Sequence, residues 1–318
     1  MTALSPTAPA PPLDLSGDPR RLRRERRVRR ALSFAGFSSL AVSIAIVASL
    51  LGKSFEFATN VDLGSLWTLE KWSPRIGQFD LATLFMGSLL VTAIAMLIAT
   101  PLGLGAAIYL AEYARPRARR ILKPILEVLA GIPSIVIGFF AVAWIGPEIV
   151  QRVLTSADVF SLAAAGVGVG ILVTPLVASV SEDAMRAVPY ALREASYGMG
   201  ARKISTIVRV IIPASISGIV AALILAMSRA IGETMVVALA AGAFGEARFT
   251  SNASDVGMTV TAAMASLAAG TDQVAGGGGA GAGQAYNSLF FLGLLLFIVT
   301  LGLNLIGNSF VKRVREQY

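Results

Sequence analysis

Long apolar stretches alternate with short, strongly polar ones along this chain. Six of them reach the roughly 20 residues that an α-helix needs to cross the hydrocarbon of a bilayer, or come close. They cover residues 31–51, 81–111, 125–145, 160–180, 215–242 and 289–306. None has the period-2 alternation of a membrane barrel strand. The pattern predicts an all-α integral membrane protein with about six transmembrane helices. Two longer segments are expected outside the lipid. Residues 52–80, with Trp67, Trp72 and Pro74, read as a loop lying along the interface, where tryptophan is enriched. Residues 257–269 are apolar but too few to cross, and predict a short helix at the membrane mouth ahead of a Gly-rich linker at 275–283.

Composition agrees with a lipid solvent. Of 318 residues 55% are hydrophobic and 14% charged, against roughly 25% charged in soluble domains. Cysteine and histidine are both absent. A disulfide framework, a thiolate nucleophile, the usual zinc ligands and the commonest general base are therefore missing together, which disfavours an enzyme. No cofactor or metal is implied.

The net charge of +8 has its meaning in where the cations sit. Residues 20–30 hold eight arginines, the segment between spans two and three holds Arg115, Arg117, Arg119, Arg120 and Lys123, and that between spans four and five holds Arg186, Arg193, Arg202, Lys203 and Arg209. With Lys312, Arg313 and Arg315 at the end, 21 of the 27 Lys and Arg lie on one side of a six-span topology. By the positive-inside rule both termini are cytoplasmic. The charge then reports topology, and nucleic-acid binding is disfavoured. The expected organisation is a disordered basic tail over 1–30, a first span and outer loop over 31–80, a transmembrane core over 81–310 with a cytoplasmic loop at 181–213, and a cytoplasmic end at 311–318. Residues 31–51 are too long for a signal-peptide core, so they read as a retained helix.

Phosphate-binding loops are absent. The lone Gly52-Lys53-Ser54 has Val47 where a P-loop needs glycine, and Gly166, Gly168 and Gly170 have Ile171 at the last glycine of a dinucleotide fingerprint. Gly166 and Gly170 share one helical face and suit close helix packing. Pro101, Gly103, Gly105, Pro133 and Gly138 read mainly as kinks and packing points, although Ser134 beside them is a candidate for lining a path through the membrane. Arg229 and Glu233 lie in the fifth apolar stretch, where an ionised side chain is costly and needs a partner or a watery cavity. At i and i+4 they are expected to share a face and form a mutual ion pair. Arg229 could otherwise offer a planar fork of donors to an oxyanion.

The segment from Glu194 through Ala195, Ser196 and Gly200 to Val210-Ile-Ile-Pro213 resembles the EAA signature of ABC importer permeases. It reads as two short helices meeting at a glycine turn, the second stopped by Pro213. Ser196 stands where the signature has a second alanine. The Arg229-Ala-Ile-Gly-Glu-Thr-Met235 run is similar to that of phosphate-importer permeases, as are Thr100–Gly105 with Ala111-Glu112-Tyr113, Gly131-Ile-Pro-Ser134, and the Glu182–Pro189 run. The tryptophan-bearing first outer loop and Met258–Ala262 look more like the PstC than the PstA type.

This resemblance implies a MetI-like type I importer architecture and a role for Glu194, Ala195, Gly200 and Pro213 in coupling to a cytoplasmic ATPase. It places Arg229 and Glu233 in the substrate pathway. The implied partners are a PstA-like second permease, PstB-like ATPase subunits, a PstS-like periplasmic phosphate-binding protein, phosphate and membrane lipid. Rival readings are a permease for sulfate, molybdate or phosphonate, an ion-coupled carrier using Arg229 and Glu233 as a proton relay, and a membrane-anchored regulator with a lipid-binding tail.

Overall fold

The computed structural model describes residues 19–270 and 282–315; the expectations for residues 1–18 and for nearly all of the Gly-rich linker lie outside the described residues. By internal contacts the chain divides into units 1–49 and 50–318. Among the described residues six helices are long and apolar enough to cross a membrane: Arg24–Asn60, Leu81–Tyr113, Ser134–Val153, Leu162–Arg186, Lys203–Ile231 and Gly283–Gly307. The first belongs to α1 (Pro19–Asn60). A helix of 37 residues such as Arg24–Asn60 is about 55 Å long, well beyond the hydrocarbon thickness. Residues 19–30 are therefore helical and continuous with the first span, which corrects the expectation of disorder through residue 30. Arginine is a good helix former, and eight of them carry no helix breaker between them.

The second span is α2 (Leu81–Ile108), capped by the Asp80 carboxylate and extended by a π turn at Tyr109–Tyr113. Next comes α3 (Pro116–Ala130), in which Arg119, Arg120, Lys123 and Glu127 recur on one face and Ile121, Ile125, Val128 and Leu129 on the other. Gly131 and Pro133 separate it from α4 (Ser134–Phe140), which continues through a wide π segment, Ala141–Val150, to α5 (Gln151–Val153). The third span thus begins at Ser134 and not at residue 125. Gly131 ends α3, and Pro133 has extended backbone and disfavours helical geometry in Ile132 before it, so the two helices are separate.

The fourth span is α6 (Leu162–Arg186), followed by the short helices α7 (Tyr190–Gly198) and α8 (Lys203–Thr206). A π turn at Ile207–Ile211 leads into α9 (Ile212–Ile231), and α10 (Met235–Ala240) resumes after a break. Pro213 does not stop the helix as the sequence suggested. It falls in the first turn of α9, directly after the π turn, whose wider spacing accommodates a residue with no N–H and a bulky ring. α11 (Val260–Ala269) is the expected short apolar helix, and α12 (Ala282–Arg315) contains the sixth span.

The core is built where α2 runs beside α6 in the same direction. A Cβ at Gly166 would lie 2.7 Å from Ile94 Cβ, one at Gly170 3.1 Å from the Ala95 carbonyl, and one at Gly103 2.6 Å from Val177 Cβ. These glycines let two helices approach closely, which in lipid replaces the hydrophobic drive. A small antiparallel sheet of order β2-β1-β3 joins the loop after α1 to the one after α10. Its strands are β1 (Lys71–Ser73), β2 (Gln78–Phe79) and β3 (Ala247–Arg248), with Trp72 opposite Phe79 and Ala247. Trp72 is fully buried, edge-on to Phe79, which in turn meets Phe57 at 5.0 Å. It is a core residue, contrary to the interfacial role expected for it; Trp67, stacked on Phe85, stays exposed.

Candidate coupling and pathway sites

The loop between the fourth and fifth spans folds as a helix, a glycine turn and a helix. Pro189, with extended backbone, starts α7. Gly200 reverses the chain at φ +76, a left-handed conformation open to glycine at no steric cost. Its N–H donates to the Tyr197 carbonyl, and the Ala201 N–H donates to Ser196. The Ser196 hydroxyl also meets the Thr206 hydroxyl at 2.8 Å, so the residue that departs from the EAA pattern clamps the two helices together. Glu194, Ala195 and Gly200 are exposed, and Met199 at the tip is 88% exposed, with Tyr190, Leu192, Tyr197 and Ile204 exposed around it. Contiguous exposed apolar side chains of this kind are common at protein contacts.

Behind this tip lies a charge network that the sequence did not reveal. Arg193 is buried. Its guanidinium donates to the carbonyls of Val188 at 2.6 Å and Met185 at 2.8 Å, and pairs with Glu112 at 3.1 Å. It also lies over the Tyr190 ring. One turn before the end of α6, the Glu182 carboxylate is fully buried and bound by Arg119 at 2.6 Å and Lys123 at 2.8 Å, with Arg186 at 3.9 Å. Lys123 reaches Asp183 as well. Burial works against the Lys123 charge, but its hydrogen bonds to Asp183 and Glu182 outweigh that and hold its pKa above the ordinary lysine value. The base of the loop between the fourth and fifth spans is thus tied to α2, α3 and α6 by ion pairs. The sequence shows one half of this network, cations at helical spacing over residues 116–130, but not which carboxylates they meet.

Glu182 and Arg193 are buried, whereas Arg229 and Glu233 are not: in the isolated chain Arg229 is exposed and Glu233 half-buried. Nor do the two share a helical face. α9 ends at Ile231 with Gly232 as its cap, which leaves Glu233 in the break before α10. Among the described residues neither side chain has an ion-pair or hydrogen-bond partner.

Irregular backbone at membrane depth must still satisfy its polar groups. Here the Gly232 and Glu233 N–H groups bond back to Ser228 and Ala230, and the Thr261 hydroxyl donates to the Glu233 carbonyl at 2.7 Å. α11 therefore pins the break, and is itself held to α2 by the Val260 N–H donating to Ser88. Ser134 is half-buried at the start of α4. One turn on, a Cβ at Gly138 would meet the Met235 carbonyl at 3.1 Å, so α4 packs directly on the segment that follows Glu233. No hydrogen bond joins Ser134 to Arg229 or Glu233.

Over 222 residues the chain is 34% identical to a probable ABC transporter permease protein, YqgH, of Bacillus subtilis, covering 69% of this chain and 72% of that protein. It is 31% identical over 269 residues to the phosphate transport system permease protein PstC of Mesorhizobium japonicum, covering 79% of each. Among solved structures it superposes on an inward-facing MetNI methionine ABC transporter with a TM-score of 0.52 at 20% identity, over 72% of this chain and 93% of that one. That likeness places the fold with MetI-like permeases. Residues 99–316, which contain the loop around Gly200 and all three pathway candidates, match the binding-protein-dependent transport system inner membrane component family, and the chain belongs to it.

Proposed function

We propose that this chain is the PstC-type permease subunit of an ATP-driven, binding-protein-dependent phosphate importer. The observation that carries the importer reading is the exposed tip around Gly200, held rigidly on a buried charge network. A raised apolar knob fits a groove on a separate ATPase, and its rigid base passes a push to α2, α3 and α6. In this reading Glu194 and Ala195 present the knob, Gly200 sets its turn, and Pro213 with its π turn joins it to the fifth span. Both termini are cytoplasmic, as the basic loops favour.

The pathway is proposed to run along the face that bears Arg229, the break at Glu233 and the start of α4 at Ser134. An exposed guanidinium within a span, with no ion-pair partner among the described residues, needs water, an anion or a neighbouring subunit. A second, PstA-like permease supplies the facing wall, and a PstS-like protein delivers phosphate to the outer mouth. The lack of an ion pair or hydrogen bond between Arg229 and Glu233 weighs against a proton relay between them.

Uptake into proteoliposomes with partner permease, ATPase and binding protein tests this. Phosphate uptake is expected to require ATP and to fall at least tenfold in Arg229→Ala and in Gly200→Leu while the complex still assembles. ATP-independent uptake would overturn the importer mechanism, and equal competition by sulfate would overturn the substrate.

A further inference from the structure

A cleft of about 770 Å³ opens where the inner ends of α2 and α6 meet α3 and α7. Its walls carry six cations, Arg119, Arg120, Lys123, Arg186, Arg193 and Lys203, against the carboxylates of Glu112 and Glu127. Counting Glu182 and Asp183 behind them, six cations still face only four carboxylates. Lys203 lies over the Tyr113 ring at 4.5 Å and has no carboxylate partner among the described residues, and two further cations are left short. Arg120 is exposed and has no ion-pair or hydrogen-bond partner among the described residues, and Arg186 reaches Glu182 only at 3.9 Å.

The same helix that lines this cleft has an uncovered apolar face. Ile121, Ile125, Val128 and Leu129 are exposed on the side of α3 opposite Arg119, Arg120 and Lys123. α3 leads directly into the third span, whose first residues Ile135, Val136 and Phe139 are exposed and apolar. A helix that is basic on one side, apolar on the other and joined at its end to a membrane span lies in the plane of the interface, with its apolar face among acyl chains. The basic cleft then sits at headgroup depth.

We propose that this cleft binds the phosphate of an anionic glycerophospholipid, with Arg120 and Arg186 as donors and the acyl chains along the apolar face of α3. An inorganic anion makes no use of that face. The site does not depend on which substrate crosses the membrane, so its failure and that of the importer reading are separable.

The full-length chain, purified with its partner permease but without the ATPase and equilibrated with equal amounts of phosphatidylglycerol and phosphatidylcholine, can be examined by native mass spectrometry for retained lipid. Wild type is expected to retain phosphatidylglycerol in preference. Arg120→Gln should weaken that retention about fivefold and Arg120→Gln with Arg186→Gln roughly 25-fold, from the usual worth of one surface cation against an anionic leaflet. Arg75→Gln with Arg152→Gln, which removes the same charge far from the cleft, should not. Unchanged melting temperatures would show that the variants fold.

Equal retention of the two lipids by wild type, or equal loss in the control pair, would overturn the proposal. So would displacement of the lipid by millimolar inorganic phosphate, which would make the cleft a free-anion site. Expulsion of the lipid by purified ATPase, with the arginine variants weakening ATPase binding instead, would make it a protein contact.

Discussion

Glu112 and Arg193 are 81 positions apart and meet at 3.1 Å, with only 7% and 9% of their side chains exposed. Removing one member of such a pair leaves an uncompensated buried charge, so Arg193→Ala is expected to cost about 3–5 kcal/mol, whereas replacing both members with apolar residues of similar volume can be nearly neutral. Arg193→Met with Glu112→Leu should therefore recover most of the loss, less the hydrogen bonds to Val188 and Met185. Thermal melts of the four members of this cycle check it, and single variants that melt like wild type would mean that the pair is screened by water. Lys123 behaves differently with pH. Its pKa is raised in the fold, so its contribution is fully present through neutral pH and is lost only as pH climbs past the ordinary lysine value.

At the scale of elements, the close approach of α2 and α6 depends on glycine. Gly166→Val places a branched side chain where even a Cβ would be 2.7 Å from Ile94 Cβ and 3.2 Å from the Val91 carbonyl. The helices must separate or the side chains must leave their rotamers, at a cost of about 1–3 kcal/mol. A melting temperature several degrees lower is expected, with partial recovery when Ile94→Ala makes room; a variant as stable as wild type would show that the contact is soft. This packing was legible from the i, i+4 spacing of Gly166 and Gly170, as were the six spans and the helix–turn–helix at Gly200, because hydropathy and glycine spacing are local signals. The breaks were not. Gly232 reads as one more small residue in an apolar run, and only α11, returning through Thr261 to the Glu233 carbonyl, shows why the chain unwinds there. Pro213 looked like a stop because a π turn leaves no trace in composition. The Glu182 cluster joins residues about 60 positions apart, a distance at which a single sequence carries no pairing information.

For the whole molecule the deciding quantity is orientation, because every proposed role depends on which side of the membrane the tip around Gly200 faces. Of 27 Lys and Arg, 21 lie on the side assigned to the cytoplasm. The folded chain keeps the polar loops at the two ends of the bundle distinct: the charge network and the apolar knob at one, the small sheet and α11 at the other. Since cysteine is absent, a single introduced thiol reports its own location without a background. Met199→Cys, at the most exposed position of the knob, and Ser251→Cys, in the exposed loop after β3, mark the two ends. With a membrane-impermeant maleimide, Ser251→Cys is expected to label from the periplasmic side and Met199→Cys only once the inner membrane is opened. The reverse pattern would put the knob where no ATP is found, and the coupling role would fall with it. The expected pattern would leave Met199 facing the one compartment where an ATPase could push on it, with its thrust carried through Arg193 and Glu182 into the helices that flank the proposed path.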